Sequence, residues 1–162
     1  MKLRDIEERD IETIPLLLNN ENVARYLTGR IPFPYTLDDA KWWVSTGHKE
    51  GINKAIDIEG SFAGMIGVSQ GNFEYQKSGE IGYWIGEKYW GIGIGTQALT
   101  AMTNMIFEST DIVRLYAPVF SPNVASMRVL EKCGFSIESV QIKALYKHNT
   151  FYNAHVYAKI NS

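Results

Sequence analysis

The first fifty residues contain two stretches in which apolar residues recur at helical spacing. In residues 10–18 an apolar stripe follows Asp10, a residue type that caps helices, and a short strand is expected before it around Leu3. The second stretch begins at Thr36, has acidic residues in its first turn, and leaves Trp42 pointing away from the apolar stripe. The pattern therefore predicts two helices in this part of the chain.

From Ile52 onward apolar and polar residues alternate, which is typical of strands. Residues 52–58 and 62–68 alternate on either side of Glu59-Gly60 and predict a hairpin. A further strand is predicted over residues 79–86. Its side chains divide between two faces, Ile81, Tyr83 and Ile85 on one and Glu80, Gly82 and Trp84 on the other.

The remaining pattern predicts a helix over 96–109, a strand over 111–119, and a helix that ends at Gly134-Phe135. Two alternating segments around a polar turn, His148-Asn149-Thr150, predict a closing hairpin. The mixture of elements indicates an α/β (α+β) fold. No repeat, low-complexity segment or charged linker divides the chain, so residues 1–162 are predicted to form a single domain.

Composition and charge narrow the classes of function. The 162 residues are 45% apolar, enough for one buried core. The net charge is −2, and no cluster of five or more Lys and Arg offers a footprint for nucleic acid or an anionic membrane. The first residues are charged, and no apolar stretch nearby reaches the length of a signal-peptide core or membrane span. We therefore expect a cytoplasmic protein that binds neither nucleic acid nor membranes.

The cysteine and histidine residues give no indication of a metal site. Cys133 is the only cysteine, so no disulfide forms within the chain. Its place before a helix-ending glycine suits a small buried residue, the alternative being a reactive thiol. The three histidines, His48, His148 and His155, lack metal-ligand spacing relative to nearby carboxylates. No metal is predicted.

Three alternate glycines between a strand and a helix mark the most informative segment, Tyr89 to Thr96. Missing side chains and unpaired N–H groups at a helix start favour a bound phosphate, and a tight turn is the alternative. A Walker-type loop is excluded because no Gly-Lys-Ser/Thr follows. Gly93-x-Gly95-x-x-Ala98 fits the dinucleotide fingerprint, but the next strand ends in Pro118-Val119-Phe120 instead of a ribose-binding acid.

A second motif, Ser-Pro-Asn-x-x-Ser-x-x-x-Leu-Glu-Lys-Cys-Gly-Phe at 121–135, follows at a fixed distance. Together with the glycine loop it resembles the GNAT superfamily of acetyl-CoA-dependent N-acetyltransferases. Tyr83-Trp84-Ile85-Gly86, Tyr89-Trp90-Gly91 and the segment from Tyr35-Thr36 to Trp43 are similar to its ribosomal-protein N-terminal acetyltransferase (RimJ/RimL-type) branch. The resemblance implies a mixed, mostly antiparallel sheet of about seven strands, with strands 4 and 5 splayed, flanked by about four helices.

The resemblance also implies acetyl-CoA as cosubstrate and a set of residues that bind it. Trp90 stands where Gln or Arg is usual in the superfamily pattern, which costs a side-chain contact but leaves the backbone donors. Pantetheine is expected to insert like a short strand along Trp84-Ile85-Gly86. Asn123 matches a cofactor-contacting Asn and equally suits a helix N-cap. The implied cofactor-binding residues are Trp84, Ile85, Gly86, Trp90, Gly91, Gly93, Gly95, Thr96 and Asn123.

Two residues are candidates for proton transfer. Glu80 is the best-placed carboxylate for a general base that takes a proton from the amine, the alternative being an ordinary exposed strand charge. Ser126 matches the Ser that the branch uses near the leaving thiolate, and it is otherwise a plain helix-surface Ser. Many relatives place a Tyr acid seven residues after the Asn, where this chain has Leu130.

The acceptor amine is the remaining question. Trp42, Tyr146 and Tyr152 are predicted to line its pocket, although each also suits an ordinary exposed or sheet position. The branch resemblance favours a protein N-terminus, by direct attack in a ternary complex formed by a monomer or homodimer. The alternatives are a small amine such as a polyamine, aminoglycoside or amino-acid derivative, and a non-catalytic acyl-CoA-binding module.

Overall fold

The structure, a computed structural model, describes all 162 residues and centres on one seven-stranded sheet. The strand order is β1-β2-β3-β4-β5-β7-β6, and every neighbouring pair is antiparallel except β4–β5. The strands are β1 (Lys2–Arg4), β2 (Ile52–Ile58), β3 (Ser61–Gln70), β4 (Ser78–Ile85), β5 (Arg114–Phe120), β6 (Ser136–Lys147) and β7 (Thr150–Ile160). The predicted mixed sheet is confirmed.

Five α-helices flank the sheet, the four that the sequence predicts and one more. They are α1 (Thr13–Leu18), α2 (Glu21–Ala24), α3 (Leu37–Ser45), α4 (Ile94–Ser109) and α5 (Val124–Lys132). The additional helix, α2, is a single turn of four residues, too short to leave a periodic pattern. None of the helices combines the length and apolar composition that crossing a membrane requires.

The two faces of the sheet carry separate apolar clusters. On one face α4 and α5 pack on β4 and β5, with Ile81, Ile85 and Leu115 in the cluster. On the other face Trp84 packs with Phe62 and the helices α1 and α3. We call these the α4–α5 face and the α1–α3 face. The alternation predicted along β4 is thus observed, because its two sets of side chains enter different cores.

The start of the first helix differs from the prediction. Asp10 does not cap it: α1 begins at Thr13, and Asp10 is 2% exposed and hydrogen-bonded to the Arg4 guanidinium at 2.8 and 2.9 Å. Arg4 also donates to Asp57 at 2.6 Å. Charges are rarely buried unless paired, and Asp10 belongs to an ion cluster that ties β1 to β2; its carboxylate also accepts from Glu7 N–H at 2.9 Å, at the start of the short 3-10 helix Glu8–Asp10.

The closing hairpin turns over two residues, where three were predicted. His148 and Asn149 both have positive φ, 53° and 57°, as two-residue hairpin turns require, and Thr150 already belongs to β7. Tyr146 therefore pairs with Phe151. Since one residue of register moves every side chain to the other face, Tyr146 and Tyr152 lie on opposite faces of the sheet.

β4 and β5 separate after a short contact, as expected. Their parallel pairing covers only Ser78–Glu80 against Arg114–Tyr116. From Ile81 to the end of β4 the strand has β3 on one side and no strand on the other. This opening, which we call the gap, leaves one edge of β4 without a neighbouring strand.

Candidate functional site

The backbone of β4 offers unpaired hydrogen-bonding groups to the gap. Gly71 N–H donates to Ser78 O at 2.9 Å and Gly86 N–H to Ala63 O at 2.8 Å. Hydrogen-bonded pairs alternate along an antiparallel ladder, so the even-numbered residues of β4 bond to β3 and Ile81, Tyr83 and Ile85 face the gap. Along Trp84-Ile85-Gly86, where an extended ligand is expected, the backbone groups of Trp84 and Gly86 bond to β3, and those of Ile85 face the gap.

A row of free N–H groups borders the gap. The backbone N–H groups of all six residues Gly91–Thr96 have no acceptor in the protein, and the first N–H beyond them, of Gln97, bonds to Gly93 O. Gly93 is the N-cap of α4, with φ of 83° and no side-chain cap, and Gly91 also has positive φ, 78°. Six outward donors at the start of a sixteen-residue helix make a site for a phosphate or diphosphate.

Trp90 fixes the near end of this loop. Its indole N–H donates to Ile85 O at 2.8 Å, while 47% of the residue remains exposed. The bond closes the turn between β4 and the N–H row and occupies the Ile85 carbonyl. Trp90 therefore holds the loop against the backbone of β4, and its half-exposed ring lies next to the free N–H groups.

On the α4–α5 face a hydroxyl pair lies beside the gap. Ser126 Oγ is 3.5 Å from the Tyr83 hydroxyl, and Asn123 caps α5 by accepting from Ser126 N–H at 3.4 Å. The Asn123 amide NH₂ has no acceptor in the protein. Gly95 lies against the Tyr83 ring, where a Cβ would be 3.6 Å away.

Tyr83 is a site residue that the sequence reasoning missed. The alternation placed it correctly on the face of Ile81, but no role was predicted for its hydroxyl. Burial raises the pKa of its phenol, partly offset by the Ser126 hydrogen bond. The phenol therefore stays protonated at neutral pH and can donate to Ser126.

Glu80 lies on the other side of the gap. It is the last β4 residue paired with β5, opposite Tyr116, and its carboxylate is exposed with no hydrogen-bond or ion-pair partner. Burial and the Glu80 charge together raise the pKa of Tyr116. Glu80 and Trp84 point to the same face, the α1–α3 face, so the carboxylate and the hydroxyl pair are on opposite sides of the sheet.

A cavity of about 560 Å³ opens on the α1–α3 face between α1, α2, the segment after α2, and the tip of the closing hairpin. This cavity could not be predicted from the sequence, because α2 is too short to leave a periodic pattern. It is lined by Leu18, Glu21, Ala24, Arg25, Leu27, Gly29, Ile31, Pro32, Phe33, Lys147 and His148. The Glu87 carboxylate, directly after the end of β4, accepts from Asn20 at 3.2 Å and Asn22 at 2.7 Å, which ties α2 to the edge of the gap.

Lys147 joins the two walls of this cavity. Its ammonium donates to Ala24 O at 2.9 Å and to Leu27 O at 2.6 Å, across more than a hundred residues of sequence. Burial lowers the pKa of Lys147. The ammonium thus fastens the hairpin tip to the end of α2.

The three residues predicted to line the acceptor pocket are not brought together. Tyr152 shares the Lys147 face and packs edge-on against Phe120, with ring centroids 5.4 Å apart. Tyr146 faces the opposite way and packs on Phe151 at 4.8 Å. Trp42 is 53% exposed and lies over Gly47 at the end of α3. None of the three lines the cavity, because the turn length reversed Tyr146 and helix α3 carries Trp42 elsewhere.

Two candidates from the sequence remain, a reactive Cys133 thiol and a metal site. Cys133 is buried, with its thiol 3.5 Å from Thr96 O and 3.4 Å from Thr100 Oγ1. No group of three or more His, Cys, Asp and Glu side chains is placed to hold a metal ion. Free N–H groups for a diphosphate, a free strand edge for amides and a free Asn123 amide fit the parts of acetyl-CoA.

Comparison with known proteins gives matches along most of the chain. The family of acetyltransferase (GNAT) domains matches residues 1–136. An uncharacterized N-acetyltransferase of Bacillus subtilis, YoaA, is 28% identical over 96% of this chain and 90% of its own, and the spermidine N(1)-acetyltransferase of Escherichia coli K12 is 23% identical over 95% and 82%. A structure of RimL, a ribosomal L7/L12 alpha-N-protein acetyltransferase in complex with coenzyme A, superposes with a TM-score of 0.84 at 23% identity, covering 98% of this chain and 92% of that one.

Proposed function

Because the chain belongs to the GNAT acetyltransferase family, we propose that it transfers the acetyl group of acetyl-CoA to the amino terminus of a protein or peptide. Dependence on acetyl-CoA and transfer to an amine follow from the family. The acceptor and the residue roles are our proposal. The observation that carries it is the gap, with six free N–H groups at one end and the cavity on the α1–α3 face.

The residues around the gap suit the two ends of the cosubstrate. Acetyl-CoA supplies the acyl group as a thioester. The N–H row Gly91–Thr96 would hold the diphosphate, and the free backbone groups of Tyr83, together with the Ile81 carbonyl, would bond the amides of the extended arm. The Asn123 amide is a further donor on the α4–α5 face. Fixing the thioester by backbone groups lowers the entropy cost of the reaction.

Glu80 is the proposed general base. The nucleophile must be a neutral amine, and an α-amino group with a pKa of about 8 needs less help than a lysine near 10.4. Glu80, free of partners and on the cavity side of the gap, accepts that proton directly or through water. In balance, one ammonium and one thioester give one acetamide, one thiol and one proton, as the N–C bond forms and the C–S bond breaks.

Ser126 and Tyr83 are the proposed proton donors to the leaving thiolate. The hydroxyls are 3.5 Å apart, and burial keeps the phenol protonated. We place Ser126 toward the ligand, because it lies at the start of α5 beside Asn123, and Tyr83 behind it. The phenol that many relatives take from α5, at the position of Leu130, would thus be supplied here by β4.

Similarity to spermidine N(1)-acetyltransferase favours a small amine as a second candidate acceptor. Such enzymes take an acceptor that carries several ammonium groups and no anion. The cavity here has a single acid, Glu21, against Arg25, Lys147 and His148. That lining favours the peptide N-terminus.

A two-step assay tests the proposal. Acetyl-CoA should raise the melting temperature, because it binds only the folded chain, and NADH should not. Thiol release is then followed with N-terminal peptides and, separately, with spermidine, using N-acetylated copies of the same peptides as controls. Release with free peptides alone supports the proposal, and release with spermidine alone replaces it with the second candidate. Binding of acetyl-CoA without release from any amine would indicate a non-catalytic binding module.

A further inference from the structure

The charged residues that line the cavity differ in how many hydrogen bonds and ion pairs they make within the protein. Glu21 and Arg25 are one turn apart, with Arg25 N–H bonded to Glu21 O at 3.0 Å, so their side chains share a face of α2. They form no ion pair with each other or with any other residue. The Lys147 ammonium, by contrast, is held by two carbonyls. Arg25 is therefore the cation in the cavity whose donors are open to a ligand.

The Arg25 guanidinium makes only one hydrogen bond to a side chain, to Asn22 Oδ1 at 3.3 Å. A guanidinium has five N–H donors in a planar fork that matches a carboxylate. The rest of the cavity wall is mostly apolar, including Leu18, Leu27 and Phe33. Arg25 itself is exposed, so its donors are accessible to a ligand that enters the cavity, and the attraction to an anion is that of an exposed charge pair.

We propose that Arg25 selects acceptors that carry a carboxylate near the amine, in the first place peptide N-termini followed by an acidic residue. This inference rests on the proposed function and names the substrate class of the same site. In the complex, the carboxylate accepts from the Arg25 fork, and the amine extends from the cavity toward Glu80 and the gap. Glu21, one turn away, attracts the incoming ammonium and leaves Arg25 free for the anion.

The location of α2 supports a role in acceptor choice. One end of α2 is tied to Glu87 beside the gap and the other to Lys147 at the hairpin tip. Arg25 is thus held on a short, fixed helix between the reacting centre and the outer wall. Lys147 also lines the cavity, so an all-cationic acceptor meets two positive side chains and one negative side chain.

The test uses three tripeptides with a free N-terminus and an amidated C-terminus. They differ only in the second residue: Ser-Glu-Phe-amide, Ser-Gln-Phe-amide and Ser-Lys-Phe-amide. Dissociation constants are measured by calorimetry on the full chain saturated with CoA, so the readout does not depend on turnover. The wild type should bind the Glu peptide about 5-fold more tightly than the Gln peptide and bind the Lys peptide least well, a ratio typical of a partly exposed charge pair. Arg25→Gln should abolish the difference between Glu and Gln peptides, and Arg25→Lys should keep part of it.

Glu21→Gln is the matched control, on the same helix face with the opposite charge. It should retain the Glu-over-Gln preference or increase it. Equal binding of the three peptides by the wild type, or a preference that survives Arg25→Gln, overturns the inference. Thiol release, measured separately, reports on the proposed function: a charge preference without release contradicts that function alone, and release without a preference contradicts this inference alone.

Discussion

The proposed role of Glu80 as general base can be tested by the kinetics of a Glu80 variant. Glu80→Gln keeps the shape of the side chain and lies outside the N–H row, so the affinity for acetyl-CoA should not change. We expect kcat/KM to fall by roughly 10²- to 10⁴-fold, the usual contribution of a positioned base. The defect should shrink as pH rises toward the pKa of the acceptor amine, where more of it arrives neutral.

The measurement is kcat/KM against pH for the wild type and the variant with one confirmed acceptor. Parallel profiles, with a constant ratio at every pH, would remove Glu80 as base and leave it as an exposed strand charge.

The hydroxyl pair makes a different prediction. If Tyr83 supports Ser126 as proton donor, Tyr83→Phe and Ser126→Ala should each lower kcat by roughly 10-fold, and the double variant should be little worse than either single one. KM for acetyl-CoA should stay within about 2-fold, because neither change touches the N–H row. Steady-state kinetics of the three variants provides the check, and multiplying effects would mean that the two hydroxyls act separately.

Single residues were only partly predictable from the sequence. The motif at 121–135 made Ser126 and Asn123 candidates, because residues at the start of a helix follow a recognisable local sequence pattern. Tyr83 was missed because its importance comes from a residue 43 positions away. Arg25 and Lys147 belong to a cavity formed by segments more than a hundred residues apart, and no local pattern records such a contact.

At the scale of elements, Lys147 joins the hairpin tip to the end of α2. Lys147→Met keeps the length of the side chain and removes two charge-assisted hydrogen bonds. We expect KM for the acceptor to rise by roughly 10-fold while KM for acetyl-CoA stays within about 2-fold, because only the cavity walls loosen.

Lys159→Met is the matched control. Lys159 also donates to a carbonyl, Cys133 O at 2.9 Å, but at the far end of the same hairpin. Steady-state KM values for both substrates are compared in the two variants. An equal rise of acceptor KM in both, tracking a loss of melting temperature, would assign the Lys147 effect to general stability.

Helices and strands were predictable from the sequence where the hydrophobic pattern repeats several times. β2, β3, β4, α3 and α5 were predicted within a few residues, since each has several turns or alternations on a buried face. The hairpin turn was predicted one residue too long, and that single residue reversed Tyr146. A bulge at Lys143, with φ of 54°, further breaks the alternation expected along β6. Register depends on turn length and bulges, which residue periodicity does not specify.

At the scale of the whole molecule, buried tyrosines make stability sensitive to alkaline pH. Burial raises the pKa of Tyr35 to about 12, and burial also raises the pKa of Tyr83 and Tyr157. The unfolded chain releases these protons near pH 10. These tyrosines should therefore leave the free energy of unfolding unchanged between about pH 7 and 9 and lower it between about pH 10 and 12, with Tyr35 alone accounting for about 2 kcal/mol.

Denaturant unfolding at pH 9, 10.5 and 12 measures this slope. Tyr35→Phe should flatten it, because Phe has no proton to retain. An identical slope in Tyr35→Phe would show that other groups control the alkaline limb.

The free N–H row between β4 and α4 also sets how fast deuterium enters this part of the backbone. Amide protons without acceptors exchange with solvent far faster than those of a helix interior, so residues 91–96 should label within seconds although the last three of them form the first turn of α4. A ligand that accepts from these groups slows their labelling. Mass spectrometry of the peptide that spans them thus locates a bound diphosphate to six residues, with no catalytic turnover required.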